Sequence, residues 1–119
     1  MRRYIDEFID FGPGKQFCPS NLHVACYKPL KQQIAILRED MLQIYYGDDS
    51  LNYVIDVGWY GQSFSLKGGL MVYLVKNGEW QPPLIRRKCK SVKRLVPALR
   101  LCLNRVRLET DNFNLLSPK

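Results

Sequence analysis

Residues 51–61 read LNYVIDVGWYG. Leu51, Tyr53, Ile55, Val57 and Trp59 alternate with Asn52, Val54, Asp56 and Gly58. That is the period of two of a β-strand with one face turned to a core. The odd positions are the inward ones, so Trp59 belongs to the core. Tyr60 falls on the opposite side with Asp56, and this outward pair is a candidate partner contact. Gly58 and Gly61 let the strand end and turn beside a bulky ring.

Working outward, Gly47-Asp48-Asp49-Ser50 is a turn before this strand. Upstream of it, residues 30–46 fit two templates. Leu30, Ile34, Leu37, Met41 and Tyr45 would share one helical face. Ile34/Ile36 and Leu42/Ile44/Tyr46 would form two short strands joined at Arg38-Glu39-Asp40. The Ile and Tyr content and the β character of residues 51–61 favour strands. LHVACY at 22–27 reads as a further short strand, and 15–21 as loop. Tyr4, Ile5, Phe8, Ile9 and Phe11 have helical spacing and are stopped by Gly12-Pro13-Gly14, which predicts a short N-terminal amphipathic helix.

Downstream, LMVYLV at 70–75 is apolar on both faces and reads as a central strand. Lys76-Asn77-Gly78-Glu79 carries Asn-Gly, a strong hairpin signal. Trp80 comes next, and Pro82-Pro83 prevents a long central strand there. Ser91 then precedes Val92, Leu95, Val96, Leu99, Cys102, Leu103 and Val106, a helical stripe for which Ser91 is the expected cap. Pro97 lies inside that stripe, so the helix must kink or start late. The expected architecture is α+β. One domain spans residues 1–119, with its core at about 30–107 and a loose tail from 108. An antiparallel meander sheet packs on a long C-terminal helix, with a short N-terminal helix added.

Cysteines at 18, 26, 89 and 102 form no CxxC pair, which excludes a zinc ribbon or thioredoxin-type site. At 119 residues and 46% hydrophobic content the chain can build a core without disulfides, so the thiols are read as reduced. The N-terminus MRRYIDEFIDF opens with two arginines, but Asp6, Glu7 and Asp10 interrupt the apolar run of an export signal. No apolar stretch approaches the roughly 18 residues of a membrane span. The expected setting is the cytoplasm, with no membrane partner.

The sequence holds no catalytic signature, and an enzyme is not expected. Cys18 and His23 make a conceivable Cys/His pair without a third orienting group. Gly61-Gln62-Ser63-Phe64-Ser65 lacks the second glycine of a nucleophile elbow. Lys67-Gly68-Gly69 lacks the rest of a phosphate loop. Asp48-Asp49 suits a turn better than a metal. No cofactor, metal or small-molecule substrate is implied.

Charge is more informative. Residues 1–80 hold 8 Lys/Arg against 9 Asp/Glu, whereas residues 81–119 hold 10 against 2, so the net charge of +7 is concentrated in the last third. Nine cations and no acid lie between 86 and 107. Lys93, Arg100 and Arg107 recur every seven residues and should share a helix face. Arg86, Arg87, Lys88, Lys90 and Arg94 broaden that surface, and Arg105 adds to it. It reads as a solvated face, as a nucleic-acid surface, or as a docking face for an acidic protein. With Asp56 and Tyr60, the candidate partner-binding residues are Arg86, Arg87, Lys88, Lys90, Lys93, Arg94 and Arg100.

YVIDVGWYGQSF, GGLMVYLVKNGEW, the Pro-Pro-Leu after it and the C-terminal amphipathic helix together resemble bacterial immunity proteins of contact-dependent growth inhibition systems. The likeness rests on Ile55-Asp56-Val57-Gly58-Trp59 and Trp80-Gln81-Pro82-Pro83-Leu84 and covers about residues 51–107. The second proline is where this chain departs from that pattern. The resemblance implies a small cytoplasmic antitoxin that binds one cognate toxin domain, commonly a nuclease, and blocks it without catalysis. It carries over no binding residue. The basic charge argues against mimicry of nucleic acid and for an acidic patch on the toxin. The alternative expectation is a small basic nucleic-acid-binding protein.

Overall fold

A computed structural model of the chain describes residues 9–16, 30–33, 37, 41–61 and 67–110. Its strands are β1 (Lys15–Gln16), β2 (Leu42–Gly47), β3 (Asn52–Gly61), β4 (Gly68–Lys76) and β5 (Ile85–Cys89), all antiparallel and in sequence order. One helix, α1 (Leu95–Thr110), comes after the sheet. The expected α+β meander with a C-terminal helix is therefore present. It is four strands with a two-residue piece, β1, at one edge.

The period of two in β3 sets the core. Leu42, Ile44 and Tyr46 of β2 lie opposite Val57, Ile55 and Tyr53. On the other side Ile55, Val57 and Trp59 lie opposite Leu74, Val72 and Leu70 of β4. All of these are buried, and Trp59 is a core residue as its position predicts. Onto this face α1 lays Leu95, Ala98, Leu99, Cys102, Leu103 and Val106, spaced three and four apart. Each buried Leu or Val contributes roughly 1.5–3 kcal/mol.

The β2 end of the same face is covered by the chain at Ile9–Gly14. Tyr46 donates a 2.6 Å hydrogen bond from its hydroxyl to the Phe11 carbonyl. A Cβ on Gly14 would lie 2.4 Å from Ile44 Cγ2, so only glycine lets the segment come this close. The N-terminal helix expected over 4–11 falls mostly outside the described residues. Its last three, Ile9, Asp10 and Phe11, are not helical. The strand expected at 22–27, and Ile34 and Ile36, also lie outside them.

β3 runs through Trp59 to Gly61, where φ is +134°, in keeping with its alternation and closing glycine. Other boundaries differ from expectation for physical reasons. Lys15 and Gln16, expected in a loop, pair with Tyr45 and Ile44. The helix starts late instead of kinking. Val92–Arg94 form a 3-10 turn and α1 begins at Leu95. Pro97 thus sits in the first turn of α1, where its missing N–H would have no intrahelical partner. Ser91 stands at the cap position but makes no side-chain cap bond. Its carbonyl accepts from the Arg94 amide at 3.1 Å. Residues 108–110, expected in a loose tail, belong to α1, whose Thr110 is buried and donates to the Val106 carbonyl; the rest of that expected tail lies outside the described residues.

The turns obey their local chemistry. Asp48 accepts from the Ser50 and Leu51 amides at 2.9 and 3.0 Å, so it serves the turn before β3. Those bonds, the Leu51 amide first, hold its carboxyl below the ordinary range. Asn77 and Gly78 both have positive φ, at 52° and 74°, the conformation of a tight hairpin turn. The Lys76 carbonyl there accepts from the Glu79 amide at 3.0 Å. Residues 80–83 then leave the ladder, taking both prolines with them across a cis Gln81–Pro82 bond; the Leu84 amide bonds the Leu74 carbonyl and β5 starts opposite Leu74.

Candidate partner-binding surface

The basic run Arg86-Arg87-Lys88 is the middle of β5, the last strand of the sheet. Three consecutive cations hide a period of two, so only Ile85 and Cys89, both buried, mark it as a strand. Because neighbours alternate, the run is divided between two faces. Arg87 stands opposite Val72 on the helix side. Arg86 and Lys88 stand opposite Tyr73 and Met71 on the outer side. The Arg87 guanidinium folds back, and its Nη1 donates to the Arg86 carbonyl at 3.1 Å.

Between β5 and the start of α1 lies an open groove of about 520 Å³. It is lined by Arg87, Lys90 and Arg94 together with Cys89, Pro97 and Ala98. Arg86, Arg87, Lys88, Lys90, Lys93 and Arg94 are exposed. Among the described residues none of the six has a carboxylate within ion-pair distance.

Arg100 does not join them. With Arg107 it lines a second groove, of about 240 Å³, beside Ile9 and Asp10. Lys93 lies in the 3-10 turn that precedes α1, and Arg100 and Arg107 lie in α1 itself. Arg105 is engaged on the helix itself, 3.4 Å from Glu109.

Asp56, expected to face a partner, is only 1% exposed. Gln43, its cross-strand neighbour, donates to Oδ1 at 2.9 Å, and Tyr60 donates to Oδ2 at 2.7 Å. The carboxylate is therefore covered, and Tyr60, which bonds it, is half-buried. Tyr60 packs edge-on against Tyr73 with centroids 5.4 Å apart, and Tyr73 packs edge-on against Trp80 at 5.8 Å. Trp80 is 43% exposed and ends this aromatic chain at the surface. Sequence reasoning assigns no role to Tyr73, because LMVYLV looks uniformly apolar, and does not place Trp80 among the partner-binding residues, because it stands outside any period. The signal that finds Tyr73 is the β3–β4 register, which sets it opposite Asp56.

The described thiols are shielded. Burial raises the Cys102 thiol to about 12 and also pushes up that of Cys89. Cys18 and His23 lie outside the described residues. No group of three or more His, Cys, Asp or Glu among the described residues is placed to hold a metal ion. No described helix is long and apolar enough to cross a membrane. Comparison with protein-family models, curated proteins and solved structures gives no match.

Proposed function

We propose that this chain is a non-catalytic binding module. It uses the corner formed by β5 and the entry to α1 to hold an acidic protein surface. The observation that carries the reading is the group of six exposed cations at 86–94 with no carboxylate partner among the described residues. Like charges this close repel one another, and an acidic partner removes that cost while steering encounter. The sequence resemblance makes the partner a cognate toxin domain, in character a nuclease, and the setting the bacterial cytoplasm. Tyr60, Tyr73 and Trp80 add the kind of rigid aromatic area on which binding energy concentrates.

Single-stranded nucleic acid is the second reading, because aromatic rings beside arginines can also stack bases. The ring geometry favours protein. Tyr60, Tyr73 and Trp80 pack edge to face, with interplanar angles of 79° and 63°, and do not lie as a flat platform.

Co-expression with the toxin encoded beside its gene tests the proposal. Copurification and protection of the host are expected. The double change Arg86→Glu with Arg87→Glu should slow association at least about tenfold at low salt and flatten its salt dependence. A protein that ignores the toxin but purifies with strong 260 nm absorbance, and loses it steeply with salt, would replace this reading with the nucleic-acid one.

A further inference from the structure

We infer that the open edge of β5 takes an acidic, extended segment of the partner as an added strand, with Arg87 as the group that admits it. The inference rests on the proposed acidic protein partner and names how that partner is held.

The phase of the hydrogen-bond ladder shows which groups are available. The Asn77 amide bonds the Asn52 carbonyl at 2.9 Å. In the β3–β4 register this makes the Val54–Val75 and Asp56–Tyr73 pairs the bonded ones. Leu70, Val72 and Leu74 must then aim their amides and carbonyls at β5. The Leu74 carbonyl does so, accepting from the Leu84 amide at 2.8 Å. Their partners are Cys89, Arg87 and Ile85. Arg86 and Lys88 consequently point their N–H and C=O groups away from β4. No strand meets them among the described residues.

An edge of this kind is a template for another strand, and cations along it are a common guard against pairing with a second copy. Here the guard is also a selector. The Arg86 carbonyl is occupied by the Arg87 guanidinium at 3.1 Å, a contact open to water. An incoming carboxylate offers that guanidinium a charge-assisted, two-point partner, which is the stronger bond. Arg87 then releases the Arg86 carbonyl to an amide of the added strand. A neutral or basic strand supplies no such exchange. Alternate side chains of the added strand would fall over the groove lined by Cys89, Pro97 and Ala98, within reach of Lys90 and Arg94. The five residues of β5 span about 17 Å, enough for a short extended segment.

The full chain is titrated with three short peptides: alternating Glu and Val, the same sequence with every backbone nitrogen methylated, and alternating Lys and Val. The Glu-Val peptide should bind and slow amide exchange at Arg86 and Lys88 while leaving Arg87, already in the ladder, little changed. The methylated and Lys peptides should bind about tenfold or more weakly, as should the Glu-Val peptide to Arg87→Ala. Equal binding of the methylated peptide would overturn edge pairing and leave the acidic-partner reading intact. Unchanged binding to Arg87→Ala would overturn the role of Arg87. Failure of the Glu-Val peptide would overturn the inference, and copurification with the toxin in that case would show that the proposed function survives it.

Discussion

The Tyr60 hydroxyl donates a 2.7 Å hydrogen bond to Oδ2 of Asp56, four residues earlier on the same strand. Four extended residues span about 13 Å, so the two meet only because the tyrosine leans back along the strand. The residue between them on that face is Gly58, which has no side chain to obstruct the ring. With Gln43 on Oδ1, both oxygens of a buried carboxylate have a donor. The Gln43 bond ties β2 to β3 through a group that burial would otherwise penalise.

Tyr60→Phe should therefore destabilise the fold by about 1–3 kcal/mol, since it removes a donor from a covered carboxylate. Gly58→Val should cost at least as much by displacing the ring. Urea unfolding of both variants measures this, and an unchanged midpoint for Tyr60→Phe would show that the bond carries no net stability.

Gly68 makes a second close approach. A Cβ there would lie 2.6 Å from the Tyr60 carbonyl and 2.7 Å from Nε1 of Trp59. Gly68→Ala should cost about 1–3 kcal/mol. It should also alter the near-ultraviolet circular dichroism of Trp59, whose indole nitrogen the added methyl would press against.

Cys89 and Cys102 are buried and their thiols are pushed up by that burial. Neither should be alkylated by iodoacetamide in the native protein at pH 8, and both should react in urea. Peptide mapping by mass spectrometry distinguishes them from Cys18 and Cys26. Rapid native labelling of Cys102 would contradict the packing of α1 on the sheet.

Glu109 anchors the last turn of α1 to the sheet. Its carboxylate takes 3.1 Å and 3.4 Å contacts from Lys76 and Arg105. The Lys76 hydrogen bond, first among the causes, holds the Glu109 carboxyl below its ordinary 4.5 and raises the Lys76 ammonium. A depressed carboxyl stabilises the fold above its unfolded value and loses that contribution as pH falls through the folded one. Glu109→Gln should lower the melting temperature slightly at pH 7, as exposed ion pairs do. The gap from the unaltered protein should close in acid. A gap independent of pH and salt would assign the effect to packing.

The strand at 52–61, the Asn77-Gly78 turn and the stripe of α1 are legible in the sequence because each is a local pattern with its own period or backbone demand. β5 is not. Charge masks its alternation, and only pairing with β4 makes Ile85–Cys89 a strand. Asp56 reads as an outside residue because period two says which face a residue takes, whereas cover on that face comes from Gln43 and Tyr60.

By itself, the sequence determined the α+β class, the inward face of β3 with Trp59 in the core, and the concentration of positive charge after residue 81. Local periodicity and composition suffice for these. The tertiary structure alone decided that part of the charge lies on the last strand of the described sheet, that Arg87 covers the Arg86 carbonyl there, and that Asp56 is enclosed. These depend on strand register and on which groups are left unpaired when the sheet ends, and neither is encoded in any single stretch of chain.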